Sequence, residues 1–241
     1  MPEGSARWSR LMSLVESQPV ITDDAGASAR LGRVVSAACD ALSAVGVGIT
    51  LMDWDGWRGV VAATSPLVRQ LDELQFVYGE GPCLDAFRLG RAVLVDDLLD
   101  RVWAGWAGYT PAAEEAGVAA VFAFPLQIGA ARLGVLEVYR NPAGALTQDE
   151  LRDAAIFVDI AVATLLERQE SAVDGRAAAG LEESLDYRIY QAQGMLRVQL
   201  DIDLVDAMAR LRAYAVGSGR RLVDVADAVL AGDLHLGRED L

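Results

Sequence analysis

All of the strand-forming segments in this chain lie before residue 140, and they occur as two separate pairs. Residues 45–52 and 60–63 are short and rich in β-branched side chains, and Asp55 and Gly56 lie between them. Residues 119–128 and 132–139 form the second pair, with Gly129 in the connection. Each pair therefore predicts a β-hairpin, and a long irregular segment separates the two hairpins.

Helical periodicity surrounds these hairpins. Apolar residues between 27 and 44 recur at three- and four-residue steps, which predicts a helix. Thr147 and Glu150 form a capping box ahead of a second helix, predicted to run to about Gln169. Its apolar stripe comprises Leu151, Ala154, Ala155, Val158, Ala161, Val162, Leu165 and Leu166.

The last quarter of the chain carries no strand signal. Residues 171–180 are small and include two glycines, which predicts a linker or a weak connecting helix. Residues 181–200, 204–216 and 221–230 each show a short amphipathic pattern, and helix-breaking residues separate them. The sequence therefore predicts a small three-helix module, which needs a partner surface because it is too small to bury its own apolar faces.

Charge and hydropathy restrict the cellular setting and the partners. The chain has 35 acidic against 21 basic residues and contains no lysine, so we expect neither non-specific polyanion binding nor DNA binding. The longest apolar stretch, residues 116–131, is interrupted by Pro125 and Gln127 and is shorter than a membrane span. The N-terminus lacks the pattern of a secretory signal, so we expect a cytoplasmic protein without membrane contact.

Residues for catalysis or metal binding are scarce in this sequence. The only histidine is His235, and no Gly-x-Ser-x-Gly motif is present, so we expect no catalytic triad and no enzyme. Cys39 and Cys83 are far apart and have no metal-ligand spacing, which predicts two free thiols and no metal site. The glycine-rich residues 79–83 lack the lysine of a phosphate-binding loop.

Several short motifs together resemble a known family. They are Tyr-Gly-Glu-Gly-Pro-Cys-Leu-Asp-Ala at 78–86, Val-Asp-Asp-Leu at 95–98, Arg-Val-Trp at 101–103, Ala-Gly-Val at 116–118, Pro-Leu at 125–126 and Gly-Val-Leu-Glu-Val-Tyr at 134–139. In order and spacing they are similar to GAF domains of the actinobacterial regulator type. The resemblance implies an α+β domain over residues 27–170, with an antiparallel sheet flanked by helices, after an N-terminal extension at 1–26.

This resemblance also implies a pocket for an unidentified small molecule, and no cofactor is certain. The implied pocket residues are Met52, Trp54, Cys83, Asp97, Trp103, Trp106, Phe124, Glu137 and Tyr139. The cyclic-nucleotide signature of such domains is missing here, so that ligand is rejected. Two alternatives stay open: the aromatic residues could simply fill the core, and Cys83 could be either a thiol of low pKa at a helix N-terminus or a small buried side chain.

The C-terminal module resembles a second family. The segments 186–196, 206–215 and 220–226 look like an ANTAR domain, which implies an all-α three-helix domain over residues 181–236. Members of that family bind paired RNA stem-loops and prevent terminators from forming, usually as dimers. The residues implied to contact RNA are Arg188, Gln191, Gln193, Arg212, Tyr214, Arg220 and Arg221. From residue 181 onward there are eleven acids against seven arginines, which weakens electrostatic attraction to RNA.

Three functional hypotheses follow from these observations. The first is a homodimeric transcription antitermination regulator that binds stem-loop leader RNA under the control of a GAF sensor. The second keeps the fold but makes the C-terminal module a dimerisation or protein-docking element that has lost RNA binding. The third is a thiol-dependent reductase of free methionine sulfoxide that uses Cys83, for which Cys39 is a poor resolving partner.

Overall fold

A computed structural model describes residues 2–19, 27–54, 58–100, 105–173 and 187–237. The chain divides into two compact units, Met1–Ser184 and Leu185–Leu241. The elements of the first unit are α1 (Pro2–Ser17), α2 (Ala27–Ala41), β1 (Gly46–Met52), β2 (Arg58–Ala63), α3 (Pro66–Tyr78), α4 (Pro82–Leu89), β3 (Val93–Val95), α5 (Tyr109–Glu115), β4 (Ala120–Ile128), β5 (Ala131–Arg140) and α6 (Gln148–Val173). Those of the second unit are α7 (Tyr187–Leu200), α8 (Leu204–Ser218) and α9 (Leu222–Ala231).

The strands form one five-stranded antiparallel sheet in the order β2-β1-β5-β4-β3. Both predicted hairpins are confirmed, and they join where β1 pairs with β5. At this seam a side chain on Gly134 would place its Cβ 2.1 Å from the carbonyl oxygen of Thr50, so only glycine fits there. Asp55 and Gly56, the predicted turn of the first hairpin, lie outside the described residues.

Alternation along the strands assigns each side chain to one face of the sheet. The apolar face carries Phe122 and Phe124 of β4 and Leu136 and Val138 of β5, and it packs against α2 and α6. The opposite face carries Val121 and Ala123 of β4 with Val135, Glu137 and Tyr139 of β5, and α3, α4 and α5 lie on that side. The sheet therefore separates a mainly apolar core from a second layer that contains several buried polar groups.

Helix α6 begins with the predicted capping box. The Thr147 amide donates to Glu150 Oε2 at 2.7 Å, and the Glu150 amide donates to Thr147 Oγ1 at 3.2 Å. The predicted apolar stripe needs a correction, because Ala155 and Leu166 are exposed. The buried face runs instead through Ala154, Phe157, Ile160, Ala161 and Leu165.

The N-terminal extension contains a helix, α1, which the sequence analysis did not predict. Leu11 and Val15 of α1 are buried in the apolar core. Arg7 and Arg10 both pair with the Asp153 carboxylate of α6, at 2.5 and 3.0 Å. Helix α1 therefore belongs to the same packed layer as α2 and α6.

The second unit is a bundle of three helices, in agreement with the predicted helical module. The breaks lie where the sequence places them: the Asp203 side chain caps α8 by accepting from the Asp206 amide, and Gly219 ends α8 in a left-handed conformation. Its core contains Ile189, Ala192, Leu196, Ala207, Met208, Leu211, Ala215, Leu222, Val225, Ala226 and Val229. Residues 181–186, the predicted start of the first helix, lie outside the described part of the chain. None of the helices in the described ranges combines the length and apolar character that crossing a membrane requires.

Candidate functional site

A layer of buried polar side chains lies between the sheet and helices α3 and α4. It is built around the glycine-rich connection that the sequence analysis singled out. Gly79 ends α3 with a φ of 69°, Gly81 has a φ of 137°, and Pro82 opens α4. A Cβ on Gly81 would lie 2.4 Å from Gln75 Oε1. A residue without a side chain at this position therefore leaves room for the Gln75 amide. Residues 79–82 thereby place the N-terminus of α4 against the sheet.

Gln75 joins three elements at this point. Its Oε1 accepts a hydrogen bond of 2.8 Å from the Cys83 amide at the N-terminus of α4. Its Nε2 donates to Glu137 Oε1 of β5 at 2.9 Å. Gln75 is fully buried, so both ends of its amide are used to hold Cys83 and Glu137 in one place.

Asp72 lies one turn earlier on α3 and is held by two strands. Thr50 Oγ1 of β1 donates to Asp72 Oδ1 at 2.7 Å, and Arg58 of β2 forms an ion pair of 2.5 Å with the same carboxylate. Arg58 also donates to the Asp72 carbonyl oxygen at 2.9 Å and lies over the Phe76 ring. All three polar residues are buried, which fixes the carboxylate rigidly beneath the sheet.

One ligand atom from each of Asp72, Cys83 and Glu137 lies within 4.8 Å of the other two. We call these three residues the Asp-Cys-Glu cluster. Burial, and then the Asp72 charge, raise the pKa of Glu137 to about 7, against the opposing effects of Gln75 and Arg58. Burial and the Glu137 charge raise the pKa of the Cys83 thiol well above its ordinary value. Of the two alternatives for Cys83, the structure therefore favours the buried thiol over a thiol of low pKa.

Four of the implied pocket residues meet at this cluster, and Trp106 lies at its border. Met52 Sδ is 3.7 Å from Cys83 Sγ, and Tyr139 lies beside Glu137 on β5, with its hydroxyl 3.5 Å from Gln75 Nε2. Trp106 is buried against Tyr109 and donates from Nε1 to Asp85 at 2.9 Å.

Other implied pocket residues lie elsewhere. Phe124 points to the apolar face of the sheet, because strand alternation places it opposite to Glu137. Trp54 is 66% exposed and packs against Phe87 and Arg132. Asp97 accepts from the Leu99 amide at 2.9 Å within a surface turn. Trp103 lies outside the described residues.

Sequence reasoning missed Thr50, Arg58, Asp72 and Gln75. A signal was available on α3, where Asp72 and Gln75 share the helical face of Val68, Leu71 and Phe76. A polar side chain on the buried face of a helix needs a hydrogen-bond partner inside the protein, so this spacing indicates internal polar contacts. Arg58 gave no comparable signal, because its pairing with Asp72 depends on tertiary packing.

The residues implied to contact RNA lie on α7, on α8 and in the short connection that leads into α9. Arg188 pairs with Asp227 at 2.8 Å, and Gln193 donates to the Leu204 carbonyl at 2.7 Å. Arg220 donates to the Asp224 carbonyl at 3.0 Å, and Arg221 is exposed beside it at the start of α9. Of the others, Gln191 is exposed, and Arg212 and Tyr214 are half-buried. Exposed pairs such as Arg188–Asp227 are weak enough to exchange for a phosphate.

Comparison with known proteins agrees with this architecture. Residues 27–165 match the family model described as GAF domain. Similar solved structures include the GAF domain of a phosphoenolpyruvate-protein phosphotransferase from Acinetobacter, at 11% identity and a TM-score of 0.52, covering 70% of this chain and 97% of that one. The corresponding domain from Coxiella burnetii has 18% identity and a TM-score of 0.51, covering 71% and 96%. At these identities the likeness concerns the fold alone. No match was found among the curated proteins.

Proposed function

Because the chain belongs to the GAF-domain family, we propose that its first unit is a ligand sensor and its second unit is the output module of a signalling protein. The observation that carries this proposal is the Asp-Cys-Glu cluster. Burying two carboxylates and a thiol against a sheet costs free energy, and an apolar layer of the same volume would be at least as stable. Such a cluster is typical of a binding site.

We propose further that the output is RNA binding by an ANTAR-like module, leading to transcription antitermination. The support is the sequence resemblance of residues 186–196, 206–215 and 220–226 to that family, together with the exposed Arg220 and Arg221. Arginine binds phosphates through two parallel hydrogen bonds and stacks on unpaired bases. A stem-loop offers both phosphates and unpaired bases. Eleven acids accompany the seven arginines from residue 181 onward, so we expect modest, salt-sensitive affinity.

One observation favours protein docking as a second candidate output. Val198 near the end of α7 and Val205 at the start of α8 are 79% and 76% exposed, and Leu204 is also exposed. Apolar side chains exposed near one helix junction are typical of a surface that binds another protein. The reductase hypothesis has less support, because Cys83 is buried and Cys39 packs with the apolar core on α2.

The RNA output is tested by charge reversal. Arg220→Glu with Arg221→Glu should weaken binding to a stem-loop library about tenfold or more, since phosphate contacts are lost and repulsion is added. The matched control is Arg69→Glu with Arg91→Glu, which makes the same charge change at exposed positions of the first unit and should bind as wild type does. Equal binding by the Arg220/Arg221 variant would contradict the proposed interface. If wild type binds no stem-loop at low salt, protein docking replaces RNA as the output.

A further inference from the structure

The Asp-Cys-Glu cluster brings together ligand atoms from three elements, α3, α4 and β5. The atoms lie within 4.8 Å of one another. Oxygen and sulfur ligands bonded at roughly 2.0–2.3 Å to one tetrahedral ion lie about 3.3–3.8 Å from one another. The three ligand atoms would therefore have to draw closer, by up to about 1 Å, to bind a single ion.

A cation would bind the cluster with release of the Cys83 thiol proton, because a metal ligand must be deprotonated. Asp72, Glu137 and a Cys83 thiolate would bring three negative charges, and Arg58 contributes one positive charge through its ion pair with Asp72. A divalent cation neutralises the remaining charge. Without compensation, carboxylates at this depth are costly to ionise.

The ligand chemistry restricts which cation fits. Cys83 supplies a sulfur, and the Met52 thioether lies 3.7 Å from that sulfur. Thiolate and thioether ligands favour zinc, iron and related transition metals over calcium or magnesium, while the two carboxylates suit a divalent rather than a monovalent ion. The set is typical of a mixed sulfur and oxygen site.

A separate observation at the same place also indicates a ligand. The Tyr109 side chain is fully buried, and its hydroxyl meets no described group at the distance and angle of a regular hydrogen bond, although the Tyr139 hydroxyl lies next to it. Its surroundings are the members of the cluster, Glu137, Cys83 and Asp72. Glu80 accepts hydrogen bonds from the Gly108 and Tyr109 amides at 2.6 and 3.1 Å. These bonds fix the start of α5 and, with it, this tyrosine. A buried hydroxyl without a regular hydrogen bond is rare in proteins and marks a position where a bound group would complete its bonding.

We propose that Asp72, Cys83 and Glu137 bind a divalent transition-metal ion. The metal site rests on the proposed function in one respect: the bound ion is taken as the signal that the first unit senses. Gln75 orients Glu137, and Arg58 with Thr50 orients Asp72, so both carboxylates have the outer hydrogen bonds that metal ligands commonly have.

The test is a titration of the chelator-treated full-length chain with Co(II), followed by the thiolate-to-cobalt charge-transfer band in the near ultraviolet. Wild type should show this band with one Co(II) per chain. Cys83→Ser should lose the band, and Glu137→Gln should bind about tenfold or more weakly. Cys39→Ser is the matched control, because it removes the other thiol on the far side of the sheet, and its titration should follow wild type. Circular dichroism and thermal unfolding verify that each variant is folded.

Three results would overturn the metal site. The first is the absence of a band in wild type at a modest excess of Co(II). The second is a band that disappears in Cys39→Ser and persists in Cys83→Ser. If Glu137→Gln and Cys83→Ser both bind Co(II) as wild type does, the ion is held elsewhere and the assignment is wrong. None of these outcomes affects the RNA test on Arg220 and Arg221, so the two proposals fail separately.

Discussion

At the scale of single residues, the two cysteines differ in their surroundings. Cys39 is half-buried on α2, whereas Cys83 is fully buried at the start of α4, where burial and the Glu137 charge raise its pKa. A thiol reacts with alkylating reagents as the thiolate and only where the reagent reaches it. In chelator-treated native protein near neutral pH, Cys39 should therefore be alkylated roughly tenfold or more faster than Cys83. Mass spectrometry of peptides from timed samples measures both rates, and Cys39→Ser provides the rate of Cys83 alone.

Faster alkylation of Cys83 than of Cys39 would contradict the described environment and would return the reductase hypothesis to consideration. Complete labelling of both thiols after unfolding in urea is the control that shows each cysteine to be free.

The site could be predicted in part at this scale. The family resemblance implied four residues that meet in the structure, namely Met52, Cys83, Glu137 and Tyr139. Phe124 is wrong as a pocket residue because strand alternation places it on the apolar face, opposite to Glu137. The Arg58–Asp72 pair was beyond sequence reasoning, since it joins β2 to α3 through packing alone.

At the scale of elements, the seam between β1 and β5 joins the two hairpins. The close approach at Gly134 predicts that Gly134→Ala forces these strands apart and destabilises the protein by about 1–3 kcal/mol. Gly32→Ala is the control, because nothing lies within 4 Å of a Cβ built there, inside α2. This control should leave stability unchanged or raise it by up to about 1 kcal/mol, as alanine favours helix. Urea unfolding measures both, and equal stability of the two variants would contradict the described seam.

The sequence predicted individual helices and strands better than it predicted the residues of the site. Hairpins follow from β-branched runs around glycine, and the start of α6 follows from Thr147 and Glu150, because both signals are local. Helix α1 was missed because its buried face is narrow, with Leu11 and Val15 among many polar residues. The predicted apolar stripe of α6 differs from its buried face because contacts with α1, α2 and β4 together determine which side chains are buried.

At the scale of the whole molecule, we propose a homodimer. Val158 and Val162 of α6 stay partly exposed and Leu166 is exposed, so the helix has apolar surface that a second copy could cover. The three-helix unit is also small for independent stability. Light scattering at micromolar concentration should give about twice the mass of 25.7 kDa. A monomeric mass at that concentration would contradict the proposed dimer, and Leu166→Glu should shift a dimer toward monomer.

The central claim is that the first unit controls the second. Its most direct test is the affinity of the full-length chain for a stem-loop RNA, measured with and without Co(II) while the charge-transfer band reports occupancy of the cluster. Occupancy should change RNA affinity by roughly 5- to 150-fold in wild type and in Cys39→Ser, and not in Cys83→Ser. An RNA affinity that stays the same while the band shows the cluster to be filled would contradict the claim.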